Sequence, residues 1–377
     1  MIYLDSAATS LIKPKSVSAA MLNAMQTMAS PGRGTHIAAM RAADNIYKCR
    51  ELACGLFNYD KPERIVFTMN ASHALNIAIR SIVKNGDTVC ISGYEHNSVT
   101  RTLKGVGAKI VVAKSRLFDT QDAIDAFERL IPHVDAVVCN HVSNVFGFVL
   151  PVYEISKMCE KHGVPFILDA SQSAGIIDID MQKLNAAFVA MPGHKGLLGP
   201  QGTGILICNA DPRPFLYGGT GADSVMQDMP DYLPDACEAG THNVVGIAGL
   251  AEGIKYVARL TPSHIGTYEA WLCSQMAESL RGVDGLEVFS TDNGTQTGVL
   301  SVRHKSINVE TLCEKLGAKQ IAARCGLHCA PFAHQTVGTI GTGTLRFSFS
   351  PFITKNQVKQ ASSVLKNIII SEKLINR

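Results

Sequence analysis

The stretch Met191-Pro-Gly-His-Lys-Gly-Leu-Leu-Gly-Pro-Gln-Gly-Thr-Gly204 sets a lysine, Lys195, in a glycine-rich loop directly after an apolar run at 187–191. That run is short, uncharged and followed by turn residues, which predicts a strand buried on both faces. Working outward, similar apolar-rich runs lie at 65–68, 88–92, 109–113, 136–140, 165–169 and 204–208, with helical spacing at 71–81, 120–129 and 153–162 between them. Such alternation predicts an α/β fold with a central, mostly parallel sheet covered on both sides. After Gly253 the texture changes to a long helical pattern at 254–280 and strands at 286–289 and 298–303. A helix at 309–316, a strand at 345–350 and a closing helix follow. Thr354 and Gln357 have capping-box spacing at the start of that last helix. The expected organisation is a large domain at 15–253, a small α+β domain at 254–377 and an N-terminal segment 1–14 joining them.

Composition narrows the function. At 377 residues and 46% hydrophobic content the chain can bury more than one core. A net charge of +3 without a long basic run argues against nucleic acid and against an acidic membrane surface as partners. No apolar stretch reaches a membrane span, and Met1-Ile-Tyr-Leu-Asp5 does not read as a secretory or transit signal. Eleven cysteines without paired spacing suit reduced thiols and a cytoplasmic location.

The chemistry gathers where predicted strands end. A lysine that forms a Schiff base needs a confined, partly desolvated position that lowers its pKa, and Lys195 follows a buried strand. Pro165-Phe-Ile-Leu-Asp-Ala-Ser-Gln-Ser-Ala-Gly175 puts Asp169 at a strand's carboxyl end, where open α/β sheets bind ligands. A carboxylate there can keep a pyridine nitrogen protonated, and Gln172 can reach the ring's phenolic oxygen. Ser92-Gly-Tyr-Glu-His-Asn-Ser98 offers His96 to stack on such a ring, and Asn140-His-Val-Ser-Asn-Val-Phe-Gly147 offers Asn144 as a donor. Taken singly, each has an ordinary reading: a loop lysine, a turn aspartate, a polar filler, a hydrogen-bonded histidine. Together, four strand ends present His, Asn, Asp-x-x-Gln and His-Lys in that order.

That order resembles the class V aminotransferase superfamily, specifically its cysteine desulfurases and selenocysteine lyases. The resemblance runs from Tyr3-Leu-Asp-Ser-Ala-Ala8 to Leu345-Arg-Phe-Ser348. It implies the fold-type-I architecture of pyridoxal 5'-phosphate enzymes, with Lys195 the covalent cofactor lysine, Asp169 paired with the ring nitrogen and His96 stacked on the ring. Gln172 and Asn144 are implied as supporting contacts, Asn144 also toward substrate. Thr68-Met-Asn-Ala-Ser-His-Ala74 joins a strand to a helix whose N-terminus favours a phosphate. Here Ala71 and Ser72 stand where relatives carry a Gly-Thr or Ala-Thr pair, and Pro192 replaces the usual serine before Gly-His-Lys. One lost neutral hydrogen bond is worth about 1 kcal/mol, so a leaner phosphate anchor is expected, carried by backbone donors, Ser72 and His194. Glu238-Ala-Gly-Thr241 resembles the segment whose threonine reaches the second subunit's phosphate, implying a homodimer; read alone, Thr241 is a helix N-cap.

Ala323-Arg-Cys-Gly-Leu-His-Cys-Ala-Pro331 resembles the nucleophile segment of one desulfurase branch, with Cys329 at the nucleophile and Leu327 replacing one of two histidines. Read without the resemblance, Cys329 is a buried structural thiol, or Cys325, His328, Cys329 and His334 form a metal site; no metal is expected. Leu345-Arg-Phe-Ser-Phe-Ser350 resembles the segment that binds the substrate carboxylate, here through Arg346, whose planar fork suits bidentate binding. His36, in Gly32-Arg-Gly-Thr-His36, resembles a substrate-facing residue of the same branch. The implied reaction removes sulfur from L-cysteine, leaving L-alanine and a persulfide on Cys329 for a sulfur-acceptor protein or a reductant. Selenocysteine lyase on L-selenocysteine, another class V aminotransferase or β-lyase, and a degenerate sulfur-relay scaffold are the alternatives.

Overall fold

The apolar runs assemble into one seven-stranded sheet. The computed structural model describes residues 1–32, 34–221 and 224–375. After a short opening strand, β1 (Ile2–Tyr3), come β2 (Ile65–Thr68), β3 (Thr88–Ser92), β4 (Lys109–Ala113), β5 (Ala136–Asn140), β6 (Phe166–Asp169), β7 (Phe188–Pro192) and β8 (Gly204–Cys208). Their order across the sheet is β2-β8-β7-β6-β5-β3-β4. Neighbours from β4 to β7 are parallel, and β8 runs against both β7 and β2. Side chains alternate between two cores. Val137, Cys139, Leu168 and Val189 enter one, while Ala136, Val138, Ile167 and Phe188 enter the other. Burying one such Val, Leu or Phe contributes roughly 1.5–3 kcal/mol, which is why these strands carry almost no polar side chain until their last residue.

Helices cover both faces: α1 (Lys15–Thr27), α2 (Ile37–Phe57), α3 (Ala71–Ile82), α4 (Asn97–Gly105), α5 (Thr120–Leu130) and α6 (Val152–His162). The single helical pattern expected at 254–280 is in fact two helices, α7 (Val244–Leu260) and α8 (Pro262–Leu280). Pro262 has no N–H to continue α7 and is well placed at the first position of a new helix. Thr261 between them turns left-handed, with φ +67°.

The remaining chain builds a four-stranded antiparallel sheet, order β12-β13-β10-β9, from β9 (Leu286–Phe289), β10 (Val299–His304), β12 (Arg324–Gly326) and β13 (Thr344–Ser348), while β11 (Ile321–Ala322) pairs back with β1. It is flanked by α9 (Val309–Ala318), α10 (Pro331–Val337) and α11 (Lys355–Ile375). The capping box at α11 forms: Thr354 N–H donates to Gln357 Oε1 (2.8 Å), and Gln357 N–H to Thr354 Oγ1 (3.3 Å). The N-terminal segment touches both sheets' surroundings, through Ile2 against Ile321 and through Ser10 N–H on His194 O (3.0 Å). Among the described residues no helix is long and apolar enough to cross a membrane.

Candidate active site

Because β3, β5, β6 and β7 are parallel, their carboxyl ends lie along one edge of the sheet. Register places Asn140 beside Asp169 and Asp169 beside Ala190. Strands β4 and β5 flank β3 on opposite sides, so the chain reverses its direction of winding there and opens a crevice. A cavity of about 210 Å³ fills that crevice, and its lining includes Ala71, Ser72, His96, Asn144, Asp169, Gln172, Pro192, His194 and Lys195. Nine positions scattered over 125 residues of sequence thus meet in one space.

Lys195 and Asp169 are brought together by an interlock of main chains. A Cβ on Gly196 would lie 2.4 Å from Ala174 O, and one on Gly175, at φ +82°, would lie 2.4 Å from Gly196 O. Only glycine allows the two loops to touch this way. Burial is the main force lowering the Lys195 pKa, to about 8; Asp169 opposes it, and Arg346 and Arg324 add to it. Near neutral pH the amine is therefore far easier to deprotonate than a surface lysine. Asp169 is 4% exposed, and its Oδ1 accepts from Ser171 N–H (2.9 Å). Gln172 spends one donor on Ala7 O (3.0 Å).

His96 caps α4: its Nδ1 accepts from Ser98 N–H at 3.0 Å. In the neutral ring that bond assigns the proton to Nε2. Burial lowers the His96 pKa, with Asp169 pulling the other way and Lys195 adding to the fall. His194 is also neutral at pH 7, pushed down to about 4 mainly by burial, and its Nδ1 sits 3.0 Å from Thr9 Oγ1. At α3, Asn70 Oδ1 caps His73 N–H (2.9 Å). The N–H groups of Ala71 and Ser72 come before any intrahelical acceptor and stand at the cavity wall. Ser72 Oγ is 2.7 Å from Ser98 Oγ. Pro192 lines the same wall and brings no donor, so an anion here would meet helix N–H groups and neutral side chains.

The sequence model of the family described as aminotransferase class-V matches residues 2–361. The chain belongs to this family. Probable cysteine desulfurases of Methanothermobacter thermautotrophicus and Pyrococcus abyssi are 31% and 32% identical to it, over 97% and 98% of this chain and 94% and 95% of their own lengths. The solved apo cysteine desulfurase of Thermococcus onnurineus, 29% identical, matches with a TM-score of 0.90 over 98% of this chain and 95% of that one. The fold is the fold-type-I architecture that the sequence led us to expect.

Not every expected class-V site residue lies in the cavity. Cys329 is exposed on a loop whose residues His328 and Cys329 both adopt left-handed backbone, at φ +49° and +56°. Non-glycine residues reach that region at a cost of about 1 kcal/mol or more each. Here two bonds hold them: Asn144 Nδ2 donates to His328 O (2.8 Å), and Asn97 N–H donates to Cys329 O (2.7 Å). The thiol's loop is thus tied to Asn144 and to the residue after His96. His328 is no acid for the thiol. It is half-buried, donates Nε2–H to Thr344 O (3.1 Å) and is pushed down to about 2, chiefly by desolvation. Among the described residues no three His, Cys, Asp or Glu side chains make a metal-holding group.

Arg346 differs from the expectation of a free fork. Its Nη1 donates to Asn144 O (2.9 Å) and its Nη2 to Asp5 Oδ1 (2.8 Å), which leaves Nε buried without a partner. Asp5 also holds Arg324, at 3.0 Å from Nη2. Thr241 and His36 are not brought to Lys195 of their own chain. Both are exposed, Thr241 borders a separate groove of about 550 Å³ together with 30–32, and His36 caps α2 through Ala39 N–H (3.3 Å). Asn243, not Thr241, caps α7. The sequence reading missed Asp5 and Glu95. Glu95 precedes His96 and is fully buried. It accepts from Ser92 Oγ (2.6 Å) and Asn140 N–H (2.8 Å), and burial pushes it up to about 8. A carboxylate next to the candidate histidine was the available signal.

Proposed function

We propose that this class-V protein is a pyridoxal-phosphate-dependent cysteine desulfurase that moves sulfur from L-cysteine to Cys329 and releases L-alanine. The observation that carries the reading is the meeting of Lys195, Asp169 and His96 at one parallel-sheet edge beside the N-terminus of α3. The residues suit the cofactor: helix N–H groups and Ser72 for the phosphate, Asp169 for the ring nitrogen, His96 for the ring face, Gln172 for the phenolic oxygen and Lys195 for the aldehyde carbon. When bound, pyridoxal phosphate supplies an electron sink for negative charge at the substrate's α-carbon.

The chain's own groups do the rest. Lys195 takes the α-proton at Nζ, and its lowered pKa keeps it able to do so near neutrality. Asp169 would hold a proton at the ring nitrogen of the bound cofactor. His96, neutral with its hydrogen on Nε2, donates a hydrogen bond toward the substrate sulfur. Arg346 and Asn144 receive the carboxylate. Cys329, as thiolate, attacks the substrate sulfur; the S–S bond forms as the carbon–sulfur bond breaks. Exposure of Cys329 lets the persulfide pass to a sulfur-acceptor protein or a reductant. In a homodimer, Thr241 and His36 would serve the neighbouring copy's cavity, which accounts for their distance from Lys195 here.

Parallel assays on L-cysteine and L-selenocysteine, with wild type and Cys329→Ala, test this. Alanine and persulfide from cysteine, lost in the variant, are expected. Undiminished cysteine turnover by Cys329→Ala would overturn the persulfide route, selenocysteine-only turnover would identify a lyase, and keto-acid release would identify an aminotransferase or β-lyase. A protein that takes up no cofactor in a Lys195-dependent way would be a scaffold.

A further inference from the structure

Lys195 also lines a second and smaller cavity of about 40 Å³, with Ser6, Ser10, Gln172, Glu269 and Thr297 in its lining. Lys195 and Gln172 line both cavities. A volume of this size, apolar over most of its lining but carrying hydroxyls, an amide and an acid, has room for about three or four water molecules, each of which needs roughly 10–15 Å³ and two or more polar partners.

Glu269 is the unexplained member of the group. It projects from α8, is 5% exposed, and has no hydrogen bond or ion pair to its carboxyl group among the described residues. Its stem is fixed, since a Cβ on Gly298 would stand 2.6 Å from Glu269 Cβ. Burial alone drives its pKa well above the carboxylate range. Nothing in the reaction sketched above uses it. Ser6 Oγ, in the same lining, is likewise buried without a partner. Buried polar groups that line a cavity without a protein partner are satisfied by water there. Lys195 and Glu269 are the ionisable side chains of this lining, Lys13 approaches it with its Nζ on Ser10 Oγ at 2.6 Å, and Asp169, Arg346, Arg324 and Asp5 are the other charges that act on Lys195.

We propose that Glu269 is the proton store of Lys195, joined to it through water in this cavity, and acts as a positioning residue that decides when the amine carries a proton. The exchange balances simply. The O–H bond of the acid breaks, water hands a proton on, and an N–H bond forms on the neutral amine, leaving a carboxylate and an ammonium; the reverse step restores both. This inference rests on the proposed function only in taking Lys195 as the reacting amine.

The test combines infrared spectroscopy with steady-state kinetics on the holoenzyme. Wild type should show the carbonyl stretch of a protonated carboxylic acid at neutral pH, shifted in deuterium oxide and absent from Glu269→Gln. In the same variant a neutral amide that cannot release a proton replaces the neutral acid, so kcat should fall by about tenfold or more, with KM for L-cysteine within about twofold of wild type. Absence of the acid band from wild type overturns the proposal without any variant being needed. A folded Glu269→Gln with kcat unchanged also overturns it. If Glu269→Gln does not fold, isotope-labelled glutamate in wild type decides: its acid band must titrate together with the holoenzyme's visible absorption, and independent titration refutes the link. A protein that lacks desulfurase activity but keeps the acid band and its coupled titration would refute the proposed function and leave this inference standing.

Discussion

Replacing Asp5 with asparagine tests whether the N-terminal segment holds the site's arginines. The Asp5 side chain is 11% exposed and that of Arg346 3% exposed, with 2.8 Å between Oδ1 and Nη2. A close pair at an effective dielectric near 20 interacts by about 4 kcal/mol. The amide oxygen of asparagine would retain a hydrogen bond of about 1 kcal/mol. The Arg324 arm, half exposed, adds less than about 1 kcal/mol. Asp5→Asn should therefore lower the unfolding free energy by about 3 kcal/mol, near the low end for breaking a buried pair. A second effect follows from the first. Arg346 without its anion is a better receptor for another, so L-alanine, a carboxylate that cannot be desulfurated, should stabilise Asp5→Asn more than wild type. Urea titrations of both proteins with and without L-alanine measure both effects. A loss below about 1 kcal/mol would refute the buried-pair reasoning, and equal stabilisation by L-alanine would show that Arg346 does not face the substrate carboxylate.

Three further outcomes are expected. In the cofactor-free protein, the rate at which pyridoxal phosphate couples to Lys195 should rise with pH through about 8. Asp169→Asn should shift that midpoint downward, because Asp169 favours the ammonium form; an upward shift would be inconsistent with this placement. His96→Ala should cost about 1 kcal/mol through the lost cap on α4, while His96→Asn should restore stability without restoring turnover, as thermal melts and alanine assays would reveal. Gly196→Ala should abolish cofactor retention, because its Cβ would meet Ala174 O at 2.4 Å, whereas Gly55→Ala, with nothing within 4 Å, should be neutral or stabilising by up to about 1 kcal/mol. Cofactor absorbance after desalting separates the two.

Much of the sheet was legible because its strands are buried on both faces, which leaves continuous apolar runs such as Ala136–Asn140 and Gly204–Cys208. Direction was not: nothing in Gly204–Cys208 distinguishes a strand running against its neighbours from one running with them. The break in 254–280 had its marker in Pro262, but helical periodicity on both sides hid it. The strand-end residues Lys195, Asp169, His96 and Asn144 could be read because each follows an apolar run directly. Asp5 and Arg346 lie 341 positions apart, and no local pattern reports such a pair. Glu269 sits in a helical stretch where an acid normally faces water, so its burial is visible only in three dimensions.

The contact between Gly175 and Gly196 sets a ruler. Main-chain atoms, not side chains, fix how far Lys195 stands from Asp169, so repacking the surrounding core cannot retune that span. The two loops must also part together or not at all, and their amide hydrogens should exchange with solvent as one cooperative unit, at a common rate.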